Sequence, residues 1–293
     1  MEKKKILVVG LGLIGGSLAM ALQGFRDYEV VGAVRSQSTY DRAAARHAAD
    51  RLTFDPAAEL PDADVVVLCQ DPAGIISFLR EHRDRFKPGA LVWDVCGVKT
   101  AVMAAAEEVL PDGVDFIGCH PMAGKEVSGI DNAEGTLFRN THFIITPGPR
   151  ATQEHLALLY RMAEWCRFGD VIQTTPERHD EMIAYTSQLM HVIAVSVCDN
   201  DELFSCKGFE GGSFRDCTRV AALDAAMWTQ LFALNAPALS RAAAALEERI
   251  HQYRAAIESG DQDALRTMLA QASDRKKQID LERFRGDDVR PVF

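Results

Sequence analysis

His120 stands in the run Gly118-Cys119-His120-Pro121-Met122-Ala123-Gly124-Lys125-Glu126, directly after the β-prone segment Asp115–Cys119. Imidazole changes charge near neutral pH, which suits a histidine to chemistry as well as to packing. Loops at the carboxyl ends of parallel strands are where open α/β sheets bind ligands. That position, beside a glycine-containing loop, makes His120 a candidate for chemistry rather than a packing residue. A second chemical motif lies near the N-terminus. Gly10-Leu11-Gly12-Leu13-Ile14-Gly15 follows the apolar run Lys5–Val9 and opens a helical pattern. Gly10 permits a tight turn, Gly12 lets the backbone approach a pyrophosphate, and Gly15 allows a helix to sit close on a strand. The helix N-terminus then offers free N–H groups and a positive dipole to phosphate. Leu13 and Ile14 within the motif, Cys69 and Gln70 after a third apolar run, and Gly97 complete the expected cofactor contacts.

The cofactor's ribose is read at the end of the second strand. A site for NAD usually places Asp or Glu there. Here the run is Val31-Gly32-Ala33-Val34-Arg35-Ser36-Gln37-Ser38, and no acid comes before Asp41. Arg35 and Ser36 suit a 2′-phosphate, through a charge-assisted pair and a hydroxyl. The expectation therefore leans to NADP; an Arg35 that only stacks on adenine leaves NAD open.

These motifs need a scaffold, and the first half of the chain supplies one. Strand candidates Lys5–Val9, Glu29–Val34, Asp64–Cys69, Ala90–Val95, Asp115–Cys119 and Thr141–Thr146 alternate with amphipathic stretches Leu13–Leu22, Thr39–His47, Ala73–Arg83 and Lys99–Val109. Near-continuous Val, Leu and Ile fit parallel strands covered on both faces. Gln153–Phe168 and Val171–Thr174 add one more helix and strand. From Pro176 the pattern is helical: Pro176–Asn200, Cys217–Asn235, Pro237–Glu258 and Asp261–Glu282, with Arg283–Phe293 as a tail. The expected architecture is a doubly wound, Rossmann-type α/β domain over residues 1–175, then an all-α domain over 176–293. Its long alanine-rich helices suit a homodimer interface.

Composition sets outer limits. In 293 residues, 32 Lys and Arg face 42 Asp and Glu, a net charge of -10, which disfavours nucleic acid and anionic membrane as partners. No apolar run approaches the ~18 residues of a membrane span. The basic start, Met1 to Lys5, leads into the glycine motif rather than a signal peptide, so a cytoplasmic protein is expected. The seven cysteines show neither C-x-x-C pairs nor metal spacing, so no metal site is expected.

Taken together, Gly10–Gly15, Asp94-Val95-Cys96-Gly97-Val98-Lys99, His120-Pro121-Met122-Ala123-Gly124, His179-Asp180, Ser187-Gln188-Leu189-Met190-His191 and Gly211-Gly212-Ser213-Phe214-Arg215-Asp216-Cys217-Thr218-Arg219, with Trp228 beyond, resemble the prephenate and arogenate dehydrogenases of tyrosine biosynthesis. The likeness runs in order over roughly residues 5–280. It implies NAD(P)-dependent oxidative decarboxylation of a dianionic small molecule: prephenate to 4-hydroxyphenylpyruvate, or arogenate in an enzyme of that or mixed specificity. It also implies His120 as the histidine that accepts a hydrogen bond from the substrate's 4-hydroxyl, and Arg219 as the arginine that holds a carboxylate. His191, Glu126, Gly212, Trp228, Gln188 and Lys99 are the further substrate-site residues it suggests. His191 lies twelve residues after His179, so the two do not share one face of a helix. His179, beside Asp180, is open between a structural and a functional reading.

Two positions depart from that family's pattern. Gly97 stands where many relatives have a serine that bridges the catalytic histidine and the cofactor region, leaving Cys96, Lys99 or a water to close that relay. Gln188 stands in a segment that often reads S-H-x-P-H, and it cannot titrate. Against the net charge of -10, Arg219, Lys99, Lys125 and Arg215 are the expected local attractors of an anion. No room for an appended regulatory domain or fused mutase is expected in this length. Two other classes compete. A β-hydroxyacid-type dehydrogenase would need a catalytic lysine in the helical half, and a redox-sensing NADP-binding protein would leave His120 and Arg219 without a role.

Overall fold

The computed structural model describes residues 3–125 and 127–287. Its sheet has eight strands in the order β3-β2-β1-β4-β5-β6-β7-β8. The glycine turn links β1 (Lys4–Val9) to α1 (Leu13–Leu22). β2 (Tyr28–Ala33), α2 (Gln37–Ala45), β3 (Arg51–Thr53), α3 (Pro56–Glu59), β4 (Val65–Leu68), α4 (Pro72–His82), β5 (Leu91–Asp94) and α5 (Thr100–Val109) continue the alternation. β6 (Asp115–Pro121) pairs parallel with β5, whereas β7 (His142–Pro147) is antiparallel to β6. α6 (Gln153–Trp165) then returns the chain to β8 (Asp170–Gln173), parallel to β7.

Alternation along β1 explains the two-sided core. Ile6 and Val8 face one buried cluster with Leu18 and Leu22 of α1, while Leu7 and Val9 face another with Ile75 and Leu79 of α4. All but Val9, at 4%, are at most 1% exposed. Each such side chain contributes ~1.5–3 kcal/mol of transfer free energy. Local capping sets the helix starts. The Asp71 carboxylate accepts from Gly74 N–H at 2.9 Å ahead of Pro72, and Thr175 Oγ1 accepts from Arg178 N–H at 3.2 Å ahead of Pro176.

Beyond Thr175 the described chain is helical. α7 (Pro176–Ile183) runs through a π-helical turn, Ala184–Gln188, into α8 (Leu189–Cys198). α9 (Gly212–Thr218), α10 (Ala225–Leu234), α11 (Ala236–Ser259) and α12 (Gln262–Asp287) follow. Compact units divide after Leu239: the sheet with the helices up to that residue, and a second unit from Ser240 whose described residues are helical apart from the turn at Gly260-Asp261. None of the described helices is long and apolar enough to cross a membrane.

Several sequence expectations change here. Pro176–Asn200 is not one regular helix, because the π-turn inserts a wider ring at Ala184–Gln188. Cys217–Asn235 is not one helix either: Arg219–Ala221 forms a short turn between α9 and α10. β3, three residues long, offers too little periodicity to register as a strand. Helix continues past Glu282 to Asp287, where a tail is expected.

Candidate active site

His120 sits near the end of β6, paired across the ladder with Ile144 of β7. Its Nδ1 lies 2.9 Å from His179 Nε2, contributed by α7. His179 Nδ1 in turn lies 2.8 Å from Asp180 Oδ1. The same carboxylate accepts backbone N–H bonds from Lys99 at 2.8 Å and Thr100 at 2.9 Å. α5 has no local side-chain cap, so Asp180, 80 residues on, satisfies its first turn. Burial pushes the Asp180 carboxyl up, but hydrogen bonds from His179, Thr100 and Lys99 outweigh it and hold the group below the usual carboxylate range. Burial drives His120 well below the ordinary histidine value, with further lowering by His179 and Lys99. His179 is lowered too, by burial, against the opposing hydrogen bond to Asp180. Both rings are therefore neutral near pH 7.

A second buried carboxylate lies behind His120. Asp94, at the end of β5, is ion-paired with the Lys99 ammonium, and both side chains are fully buried. Lys99 Nζ also donates to Cys119 O at 2.8 Å, while Cys119 N–H donates to Asp94 Oδ1 at 3.1 Å. Cys96 N–H donates to Asp94 Oδ2 at 3.0 Å. The pair thus ties the ends of β5 and β6 together immediately before the catalytic candidate.

His120 opens on a cavity of about 370 Å³, inside the ~300–1,000 Å³ range of small-molecule sites. Ile14, Gly97, Gln188, His191 and Trp228 are among its lining residues, along with the Pro121–Gly124 loop. His191 and Trp228 stack with ring centroids 3.6 Å apart, and His191 Nδ1 donates to Ser187 O at 3.0 Å. Gln188 is locked in place: its Nε2 donates to Leu231 O at 3.2 Å and its Oε1 accepts from Asn235 Nδ2 at 2.8 Å. Asn235 Nδ2 also donates to Asp180 O at 2.8 Å, so one amide joins α10's end to both α7 and the π-turn.

Of the residues singled out from sequence, His120, His191, Trp228, Gln188, Gly97 and Ile14 converge on this cavity. Lys99 is a correction: completely buried and committed to Asp94 and Cys119, it presents no ammonium to the cavity. It also cannot close a relay to His120, which pairs with His179 instead. Lys125 is ion-paired with Glu134. Gly212 begins α9, exposed and outside the cavity lining. Arg219 also stands outside the lining, on the turn packed against α8, and Arg215 is exposed on α9. Glu126 lies outside the described residues. The sequence leaves His179 and Asp180 open, shows Asp94 only as part of a motif without a role, and gives no sign of Asn235. An acid directly following a histidine at a helix start is the one local signal that pointed to the first two.

The nucleotide turn fits its expected ligand. Gly10 has φ +98°, and a β-carbon there would stand 3.0 Å from Cys69 O. A β-carbon on Gly15 would collide with Gly10 O, whereas nothing lies within 4 Å of one on Gly12, leaving room in front of the helix start. Gly12 is the N-cap of α1 and brings no capping side chain to the first turn, which includes Leu13. Gln70 Oε1, beside this turn, is buried with no hydrogen-bond partner among the described residues, an acceptor suited to a donor from the ligand. The Cys69 thiol is pushed far up by burial and stays protonated as packing. Arg35 is exposed at the end of β2. Ser36 caps α2, its Oγ accepting from Thr39 N–H at 3.2 Å.

Glycine turn and neutral imidazole meet at the carboxyl end of one doubly wound sheet, with Ile14 and His120 on the same cavity. That convergence defines a Rossmann-type, dinucleotide-dependent oxidoreductase. Family models described as prephenate dehydrogenase, nucleotide-binding domain, and prephenate dehydrogenase, dimerization domain, match residues 18–169 and 175–271. The chain belongs to the prephenate dehydrogenase family. It is 32% identical over 270 residues to the cyclohexadienyl dehydrogenase of Zymomonas mobilis, a match covering 89% of this chain and 91% of that one. Synechocystis arogenate dehydrogenase superimposes with a TM-score of 0.79 at 32% identity, covering 94% of this chain and 99% of that one. A prephenate dehydrogenase from A. aeolicus, solved with hydroxyphenyl propionate and NAD+, gives 0.84 at 26% identity, covering 95% and 99%.

Proposed function

We propose that this chain catalyses the NAD(P)-dependent oxidative decarboxylation of prephenate to 4-hydroxyphenylpyruvate, as a cytoplasmic homodimer. One observation carries the reading: a half-buried, neutral His120, bonded among the described residues through Nδ1, on a cavity that Ile14 of the nucleotide turn also lines. The bound dinucleotide supplies the hydride acceptor. His120 accepts a hydrogen bond from the substrate's 4-hydroxyl as carbonyl character develops at that carbon, and the proton remains with the oxygen in the phenol product. Loss of carbon dioxide returns an electron pair to the ring, and aromatisation supplies much of the driving force. The protein's work is therefore orientation and exclusion of water. His191, held by Ser187 O and stacked on Trp228, presents its remaining nitrogen to a polar group of the substrate. Arg219 is the proposed carboxylate partner on the family likeness, supported by the packing of its turn on the helix that carries His191. Glu126 is a further proposed substrate-site residue, supported by the family likeness.

Residues 1–175 serve the cofactor and 176–293 the substrate and the dimer. NADP is the proposed preference, supported by the exposed Arg35 and by the lack of an acid from Arg35 to Ser38. Arogenate is the second reading. Gln188 favours it by lining the cavity as a neutral, fixed amide where a titrating side chain would select charge. Purified protein assayed with prephenate or arogenate, and NAD or NADP, by reduced-cofactor absorbance decides both choices. Faster turnover of prephenate with NADP is expected; no reduced cofactor with either substrate would overturn the reading. Arg219→Ala should raise KM about tenfold or more with kcat little changed, as loss of a charged hydrogen bond at a substrate carboxylate requires.

A further inference from the structure

We infer that His179 and Asp180 are positioning residues that hold the His120 ring as the tautomer protonated on Nδ1, so that a bare Nε2 faces the cavity. The inference rests on the proposed role of His120 as acceptor, and it names what makes that ring an acceptor. Asp180 already accepts two backbone N–H groups from the start of α5, and as an ionised carboxylate it has no hydrogen to give. The hydrogen in its 2.8 Å contact must therefore belong to His179 Nδ1. A neutral His179 is then bare on Nε2, and the 2.9 Å contact to His120 requires His120 Nδ1 to donate. His120 Nε2, with no hydrogen-bond partner among the described residues, is left as a lone pair. The opposite tautomer would set two lone pairs against each other in a partly buried contact, at the cost of an unmet polar pair, ~1–3 kcal/mol.

Among the described residues, no other neighbour sets this polarity. Lys99 is spent on Asp94 and Cys119 O. Burial pushes the Cys96 thiol up to about 12 and the Cys119 thiol well above the ordinary thiol value, so both stay neutral. Gly97 brings no side chain, and a β-carbon there would meet His120 only at Cε1, 3.9 Å away. Among the described residues, the charged or titratable groups acting on His120 are thus His179 and Asp180 from α7 and Lys99 from the start of α5.

Two variants separate tautomer control from mere packing. His179→Gln keeps an oxygen about where Nε2 stood, able to accept from His120 Nδ1; His179→Leu fills similar space without an acceptor. Selectively 15N-histidine-labelled full-length protein, read by long-range proton–nitrogen NMR, reports each tautomer without needing turnover. This keeps the test independent of whether prephenate or arogenate is a substrate. Wild type and His179→Gln should show His120 protonated on Nδ1, and His179→Leu a mixture of tautomers. Turnover of His179→Leu should fall at least ~10-fold below His179→Gln with KM within about twofold, as expected for a misoriented acceptor. A wild-type His120 bare on Nδ1, or a His120 tautomer unchanged in His179→Leu, would overturn the inference.

Discussion

Two buried carboxylates flank His120, and they are built alike but partnered differently. Asp94 accepts backbone N–H bonds from Cys96 and Cys119 and is ion-paired with Lys99. Asp180 accepts backbone N–H bonds from Lys99 and Thr100 and a neutral ring, His179. A lysine cannot pass polarity onward, so the first centre ends in itself and locks β5 to β6. A histidine has a second nitrogen, so the second centre continues to His120 and the cavity. The contrast separates rigidity from chemical direction within one patch of protein.

Lys99→Met breaks the first centre and should have the largest effect. It strands a buried carboxylate, and urea unfolding should show a loss of ~3–5 kcal/mol. A loss below about 1 kcal/mol would mean that Asp94 is satisfied by its backbone donors alone. His120→Asn cuts the output of the second centre. Its kcat should drop ~10²–10⁴-fold while urea stability changes much less than in Lys99→Met.

Acidification distinguishes the centres next. His120 and His179 lie below their ordinary value in the folded protein, so the unfolded chain takes up protons first as pH falls. Their contribution to stability is complete above about pH 6.5 and is lost as pH falls through the lowered folded values. Unfolding free energy should therefore slope downward below about pH 6.5, and His179→Gln should flatten that slope. A slope unchanged in that variant would place the acid sensitivity elsewhere. The smallest effect is expected from Gly97→Ser. The added β-carbon would make ordinary contacts, 3.8 Å to Leu231 Cδ2 and 3.9 Å to His120 Cε1. With Nδ1 already bonded to His179, kcat should change by less than ~10-fold, the scale of one net hydrogen bond.

Legibility from sequence followed how local each interaction is. Leu13–Leu22 and the glycine turn are read correctly because the turn, the close helix–strand approach and the helix start lie within a dozen consecutive residues. His120 was legible through the strand before it. Lys99 was misjudged because a lysine after Asp94-Val95-Cys96-Gly97-Val98 looks like a solvent-facing charge; only the arrival of Cys119 O on the neighbouring strand shows it enclosed. His179 was weighed against His191, its neighbour in sequence, whereas its partner is 59 residues away. The π-turn leaves no periodic trace that a reading at 3.6 residues per turn would catch.

Amino-acid order alone determined the alternating strands and helices, the nucleotide turn and the family likeness, because period, glycine placement and capping act over a few residues. Tertiary structure decided which of two buried acids would be inert and which would orient His120. That choice depends on β5, β6, α5 and α7 meeting at one point, and a contact between distant segments is set by the packing of the whole sheet.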